Sequence, residues 1–405
     1  MKYNNWCLGL LTLAMCTQRA SIAVGNICLG FSILMFLLHL YQRYQRGESL
    51  KLPPEYQIYF NIYGIFMLFL LPSVFFAGDI VISFKYLIGI FGYRIMPFVM
   101  LLYTECDNKY IKRCLLIFVA YIAFDGVVTF IEMLIKNGAR AGGLGDGLLR
   151  HASIMATVFP VALILWLDDR IVFPGKRYFI LFVIGIILGF GGNQSRSGWL
   201  GGISILPFVF YKYFSLQSKK MWAILLLLCC LAGIIYTSPK YHHRFQSIAN
   251  ITTDRSNGDR VEAWKSAWKM VLDRPLIGYG INQGHQIYLN QYRSKAETQG
   301  LPHFHSSHVE VAVGTGFIGF IGYIFFWCFM FWKHRKFENT YIMMIFCVCF
   351  AFNVVGSFDY TIDLFASFTT LWFVLGSLVR LAYPKEDASI KQFKQKYVDN
   401  KAFES

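Results

Sequence analysis

Apolar residues run through this chain in blocks of roughly 17–25, with polar residues confined to short connections between them. Blocks of that length span a bilayer as helices. The pattern predicts twelve spans, at about 4–18, 21–41, 57–76, 86–104, 112–135, 151–167, 178–192, 197–214, 221–238, 306–332, 340–356 and 361–382. The first and seventh are short enough to be tilted or re-entrant. A single long polar segment, 239–305, interrupts the series. Within it Val261, Trp264, Ala267, Trp268 and Val271 recur at three- and four-residue spacing, which predicts an amphipathic helix from Arg260 to Leu272. The stretch SNGD offers capping residues before it, and Pro275 closes it. Its tryptophans suit either the membrane interface or packing on the outer mouth of the bundle. The expected organisation is a transmembrane bundle over 1–238, a loop over 239–305, a second bundle segment over 306–382 and a cytoplasmic tail over 383–405.

Composition agrees. Of 405 residues, 56% are hydrophobic and only 15% charged, against about a quarter charged in soluble domains. An all-α polytopic membrane protein is therefore expected. The net charge of +15 does not point to nucleic acid, because lysines and arginines fall in clusters between apolar blocks and no nucleic-acid motif accompanies them. With the N-terminus in the cytoplasm, the inner connections and tail carry 21 basic residues and the short outer connections six: Arg19, Lys85, Lys136, Arg140, Arg150 and Arg196. That bias puts both termini inside and the 239–305 loop outside. The first apolar run, from Trp6, lacks a small-residue cleavage site and is expected to be a retained span. The ten cysteines lie in or beside apolar blocks without a CxxC pair and read as buried small hydrophobes.

Three stretches carry candidate chemistry. GGNQSRSGWLGG, residues 191–202, holds Arg196 as its one charge between two spans. A lone arginine there snorkels to headgroups or, among glycines that open the backbone and side chains that donate hydrogen bonds, grips an anion. Arg260 opens the loop helix, where the dipole also favours anions; otherwise it is a solvated surface arginine. PHFHSSHVEVAVGTGFIGF, residues 302–320, crowds His303, His305 and His308 where the loop re-enters the membrane. These are interfacial histidines, a metal site of no strong signature with Glu310 as its sole nearby carboxylate, or a general base. Gly314, Gly316, Gly319 and Gly322 would allow close helix packing behind them. Two outward arginines and a histidine suit displacement of a diphosphate: guanidinium groups hold the leaving group and imidazole activates an incoming hydroxyl. No P-loop is present, which fits a donor that arrives already activated.

In this order, NQSRSGWLGG, GDRVEAWKSAWKMVLDRPLIGYGINQ and HFHSSHVEVAVGTGFIGF resemble the signature region of the O-antigen ligase and polymerase superfamily, across about 185–330. ARAGGLGDGLLRHAS, residues 139–153, also resembles a loop of that family. The resemblance implies a GT-C-type inverting glycosyltransferase without metal or other cofactor. Its donor would be O-antigen on undecaprenyl diphosphate, and its acceptor a sugar of the lipid A–core oligosaccharide, at the periplasmic face of the inner membrane. It assigns diphosphate binding to Arg196 and Arg260, catalysis to His305 together with those arginines, and substrate-binding roles to His303, Arg94 and Arg140. Ser306 departs from the asparagine that follows the catalytic histidine in many members. An O-antigen polymerase, a relative that glycosylates protein hydroxyls and a lipid-linked glycan transporter are the alternatives. Protein-glycosylating relatives often carry a further C-terminal region, and the ligase branch is expected here. Transporters often show internal repeats and charges spread through the spans, whereas here the charges gather on one outer face.

Overall fold

The structure is a computed structural model that describes residues 2–145, 147–171, 175–215, 218–249, 254–298 and 300–384. In chain order its α-helices are α1 (Lys2–Ala20), α2 (Ile22–Gln45), α3 (Pro54–Phe75), α4 (Ile80–Tyr86), α5 (Met96–Tyr103), α6 (Asn108–Ile135), α7 (Leu148–Leu167), α8 (Phe179–Asn193) and α9 (Arg196–Ser204). There follow α10 (Leu206–Tyr213), α11 (Lys219–Thr237), α12 (Pro239–Ala249), α13 (Arg255–Asp273), α14 (Gly284–Ile287), α15 (Ser307–His334), α16 (Thr340–Phe358) and α17 (Phe365–Ala382). No strand occurs among the described residues. The chain is an all-helical multi-pass membrane protein. The part of the expected tail beyond Pro384 lies outside the described residues.

Each predicted span falls on a helix or helix pair. Nine stretches among the described residues are long and apolar enough to cross a membrane: 22–45, 54–75, 80–103, 108–135, 148–167, 176–193, 307–334, 340–358 and 365–382. The remaining three predictions fall on α1, on α9 with α10, and on α11. The first and seventh spans look short in the sequence because polar residues at their ends belong to the helices. In α1, Asn4, Gln18 and Arg19 are buried against neighbouring helices. The 80–103 stretch is interrupted by a π-helical segment, Leu87–Tyr93, which the apolar pattern does not reveal.

Burial is ordered from the inside out. All of α17 from Ala366 to Ala382 is buried, and α7 is nearly so. On the outer helices, Phe31, Leu34 and Leu37 of α2 and Ile117 and Phe124 of α6 are exposed, as expected where the solvent is hydrocarbon. The cysteines are all free. Their expected burial holds for Cys7, Cys16, Cys114, Cys347 and Cys349, whereas Cys229, Cys230 and Cys328 point outward. An outward side chain meets lipid, so apolar character along these spans does not separate core from periphery.

Contacts between connections define two ends. At one, Arg43 Nη1 donates to the Tyr103 carbonyl (3.3 Å), Arg380 Nη2 to that of Cys106 (3.2 Å) and Thr340 Oγ1 to Asp168. These are connections expected inside. At the other, Arg140 Nε donates to the Asn193 carbonyl (3.1 Å) and Arg260 faces Asp359 (3.7 Å). These are connections expected outside.

Of the glycines after the histidines, Gly322 serves the expected close packing and Gly316 serves a different purpose. Gly316, at φ 60° and ψ −167°, breaks α15 in a conformation open essentially to glycine alone. The 275–280 segment hydrogen-bonds into the break: Tyr279 N–H to Val313 O (3.1 Å), Gly280 N–H to Gly314 O (2.9 Å) and Phe317 N–H to Pro275 O (2.7 Å). Only Gly322 faces another span, α3 at Phe69. A Cβ on Gly316 would lie 2.5 Å from the Leu276 carbonyl carbon. Gly316→Ala should therefore destabilise the protein by about 1–3 kcal/mol, read as a lowered melting temperature in detergent.

Candidate functional site

Arg196 is the first residue of α9, which starts after a tight turn. Gln194 takes a left-handed conformation (φ 53°), and Asn193 Nδ2 donates to the Ala141 and Leu148 carbonyls, both at 3.0 Å. The polar residues of NQSRS thus lace the turn to the 138–148 loop, and the Arg196 guanidinium stays free to reach outward. Its Nη1 donates to Ser247 O and Oγ, both at 3.0 Å, and stands 3.3 Å from Asp254 Oδ1. Ser247 belongs to α12, a helix the sequence pattern does not announce.

Asp254 caps α13, accepting from Asn257 N–H (2.9 Å). The loop helix therefore starts well before Arg260, and SNGD lies inside its first turns. Two expectations change. Arg260 sits in the second turn, so it acts through its guanidinium and not through an exposed helix N-terminus. The buried face is Asp259, Ala263, Ser266, Ala267, Met270 and Val271, while Trp268 is exposed. Trp264 turns inward, its Nε1 donating to Phe304 O (2.7 Å).

That bond shapes the histidine turn. Phe304 is buried against Tyr288, and its N–H donates to Glu310 Oε1 (2.6 Å). With both polar groups of Phe304 clamped, His303 and His305 flank a fixed point. His305 adopts φ 50°, and its N–H donates to His303 Nδ1 (3.2 Å), with the two rings 4.1 Å apart. Burial, and next the neighbouring His305, push the His303 imidazole down to about 4. His308 goes elsewhere, to Ser357 Oγ (3.1 Å), so the H-x-H-x-x-H run does not converge on one point.

Asp359, at the C-terminal end of α16, joins these pieces. It is fully buried. Its Oδ1 lies 3.7 Å from Arg260 Nη2 and 3.6 Å from His305 Nδ1, and its Oδ2 accepts from Ser197 Oγ in the Arg196 turn. Arg260 Nε, His305 Nδ1 and Asp359 Oδ1 are buried without a hydrogen bond in the protein.

Arg140 and Arg244 complete a group of four arginines. Burial, and next Arg244, push Arg140 down to about 10, with Asp359 opposing. Arg244 is lowered by burial and then Arg196, with Asp254 opposing. Arg260 is lowered by burial and Arg196, against the pull of Asp359 and Asp254. Four guanidinium groups thus share two carboxylates, and the excess positive charge invites an anion. Arg94 stands apart from this group. Its Nη1 donates to Ile362 O (2.5 Å) and its Nη2 lies 3.6 Å from Asp363. It holds the connection that carries Asp359.

Sequence reasoning found Arg140, Arg196, Arg260, His303 and His305, which the structure gathers, and Arg94, which it sets behind them. It missed Arg244, Ser247, Asp254 and Asp359. Asp359 had a signal: it is an acid between two apolar spans on the side expected outside, which a count of basic residues passes over.

If the Phe304 clamp sets the turn, Glu310→Gln, which keeps an acceptor oxygen, should retain activity, and Glu310→Ala should lower it by roughly one to two orders of magnitude, as loss of a buried partner does. His303 generates a pH dependence. Unfolding raises its proton affinity from about 4 to the ordinary 6.5, so the unfolded chain binds more protons in that window and stability falls as pH drops. Between pH 7 and pH 5 the loss attributable to His303 is about 2 kcal/mol. Comparing melting of the wild type with His303→Gln, which has no such proton, isolates it.

Residues 180–324 match the family model described as O-antigen ligase. A ComP-specific O-oligosaccharyltransferase of Acinetobacter baylyi is 24% identical over 326 residues, covering 75% of this chain and 57% of that protein. An uncharacterised protein of Haemophilus influenzae is 20% identical over 213 residues, 49% of this chain and 53% of its own length. The chain spans a little over half the length of these curated relatives. The matched region runs from α8 through Arg196, Arg260 and the histidine turn into α15, and over it the chain is similar to the O-antigen ligase family.

Proposed function

We propose that this protein is a membrane glycosyltransferase that moves a glycan from undecaprenyl diphosphate to an acceptor hydroxyl at the periplasmic face of the inner membrane. The observation that carries this reading is the gathering of Arg140, Arg196, Arg244 and Arg260 around Asp254 and Asp359, beside His305. Arginine forks match phosphate oxygens, and their charge counters what develops on a departing diphosphate.

In the proposed step the acceptor oxygen attacks the anomeric carbon as its bond to the diphosphate breaks. Attack opposite the leaving group inverts the configuration. The hydroxyl proton passes to His305. With Nδ1 turned toward Asp359, Nε2 is the nitrogen that receives it. The diphosphate departs on its lipid with the arginines as counter-charge. No step calls on a metal or nucleotide.

Within the family the preferred reading is an O-antigen ligase acting on lipid A–core. The twelve-span count and the GT-C architecture belong to this proposal. One observation favours a second acceptor: the Acinetobacter baylyi relative is named as an O-oligosaccharyltransferase specific for ComP, so a protein hydroxyl is the alternative. A polymerase would add the glycan to another lipid-linked chain.

Purified protein given an undecaprenyl-diphosphate-linked glycan should glycosylate lipid A–core and leave protein and lipid-linked acceptors untouched. In cells, deletion should leave bare core and long lipid-linked polymer; core capped with a single repeat unit would identify a polymerase instead. Arg196→Ala, Arg260→Ala and His305→Ala should each lower transfer by at least 100-fold while the protein remains inserted. Wild-type transfer by all three variants would overturn the assignment.

A further inference from the structure

Beneath the arginine group lies a buried charge cluster that the mechanism does not use. Arg19 closes α1, Asp125 sits within α6 and His151 in the first turn of α7, all three essentially without exposure. Arg19 Nε donates to Asp125 Oδ2 (2.7 Å), and His151 Nδ1 stands 3.1 Å from the same oxygen. The other oxygen, Oδ1, accepts from Leu144 N–H (2.7 Å). Arg19 Nη2 donates to Gly142 O, and Glu132 Oε2 accepts from Gly142 N–H (3.1 Å) and Gly143 N–H (2.8 Å). Two helices, α1 and α6, thus converge on the backbone of one glycine-rich loop, and α7 joins them through His151.

A buried ion pair seldom stabilises a fold more than apolar side chains of the same volume would, since desolvation offsets the attraction. Its distinctive contribution is geometry. Here that geometry runs straight to Arg140, two residues before Gly142. Ala141 N–H donates to Gly192 O (3.1 Å), Arg140 Nε to Asn193 O and Asn193 Nδ2 back to Ala141 O. One loop therefore places Arg140 and braces the turn that launches Arg196. Gly143, at φ 73°, passes so close that a Cβ would lie 2.3 Å from Asp125 Oδ1.

We propose that Arg19, Asp125 and His151 are positioning residues that hold the 140–144 loop so that Arg140 meets the donor diphosphate. This rests on the reading that the arginine group binds that diphosphate. The cluster does not touch substrate. It acts through Arg140, so its loss should weaken donor binding and spare acceptor binding.

The test uses full-length protein in detergent with undecaprenyl diphosphate as the probe. Affinity is measured for wild type, Asp125→Asn, Gly143→Ala, Arg140→Ala and the double variant Gly143→Ala/Arg140→Ala, with KM for donor and acceptor measured separately. Asp125→Asn disturbs the cluster from the helix side and Gly143→Ala from the loop side, leaving the buried charges in place. Each single variant should bind the probe at least tenfold more weakly and raise donor KM similarly, with acceptor KM within twofold of wild type. The double variant should be no weaker than Arg140→Ala alone, because coupled residues are non-additive.

Wild-type affinity in Gly143→Ala, losses that multiply in the double variant, or equal changes in donor and acceptor KM would overturn the proposal. Should Asp125→Asn fail to insert, Gly143→Ala decides alone. Failure of the wild type itself to bind the probe would overturn the donor reading and this inference with it, an outcome distinct from binding that ignores the cluster.

Discussion

Concentrating positive charge at one end of an apolar bundle is the constraint around which this structure is organised. Like charges held close together repel by a few kcal/mol at an effective dielectric of about 20. Arg196 stands close enough to Arg140, Arg244 and Arg260 to help lower the proton affinity of all three. Asp254 and Asp359 relieve only part of that repulsion. Much of this end is built to keep these side chains where the charge alone would not leave them: the cap of α13, the Ser247 carbonyl, the NQSRS turn and the glycine-rich loop. A group held against its own repulsion is preorganised for an anion, since no reorganisation is required when one arrives.

The same economy explains the histidine turn. A left-handed His305 is unfavourable in isolation, and here its ring also meets that of His303 edge-on. They persist because Phe304 between them is fixed on three sides, by Glu310, Trp264 and Tyr288. Those partners come from three elements: α15, α13 and the π-helical turn Tyr288–Tyr292. The 239–305 segment is therefore less a loop than a set of braces. It pairs backbone to backbone with the broken α15 at Gly316, and through Ser247 and Asp254 it closes on Arg196. Arg94 contributes at one remove, by holding the connection from which Asp359 reaches the site.

Much of the fold was legible because membrane helices obey a one-dimensional rule. Without water, every backbone group is satisfied within its own helix, so runs such as 112–135 or 340–356 could be read directly and their ends lie close to α6 and α16. The rule weakens where polar residues are buried: Gln18 and Arg19 lie buried in the last turn of α1, and from sequence the one reads as the edge of its span and the other as lying beyond it. It fails where backbone leaves the α-form, as in the π segment Leu87–Tyr93 or the break at Gly316, because those departures answer to neighbours. Within the loop, periodicity found α13 but shifted its start, since the cap at Asp254 is chosen partly by Arg196.

The sequence by itself determined the multi-pass helical class, the order of the apolar spans, the charge bias between connections, and the candidates for a cationic, imidazole-bearing site: Arg140, Arg196, Arg260, His303 and His305. Tertiary structure alone decided which of them meet. It brought Asp359 between Arg260 and His305, added Arg244, sent His308 to Ser357, and buried Arg19, Asp125 and His151 beneath the Arg140 loop. The physical reason is range. Helix formation and membrane insertion depend on neighbours a few residues away, whereas a charge takes its partner from whatever lies within a few ångströms, and here those partners are up to a hundred residues or more distant along the chain.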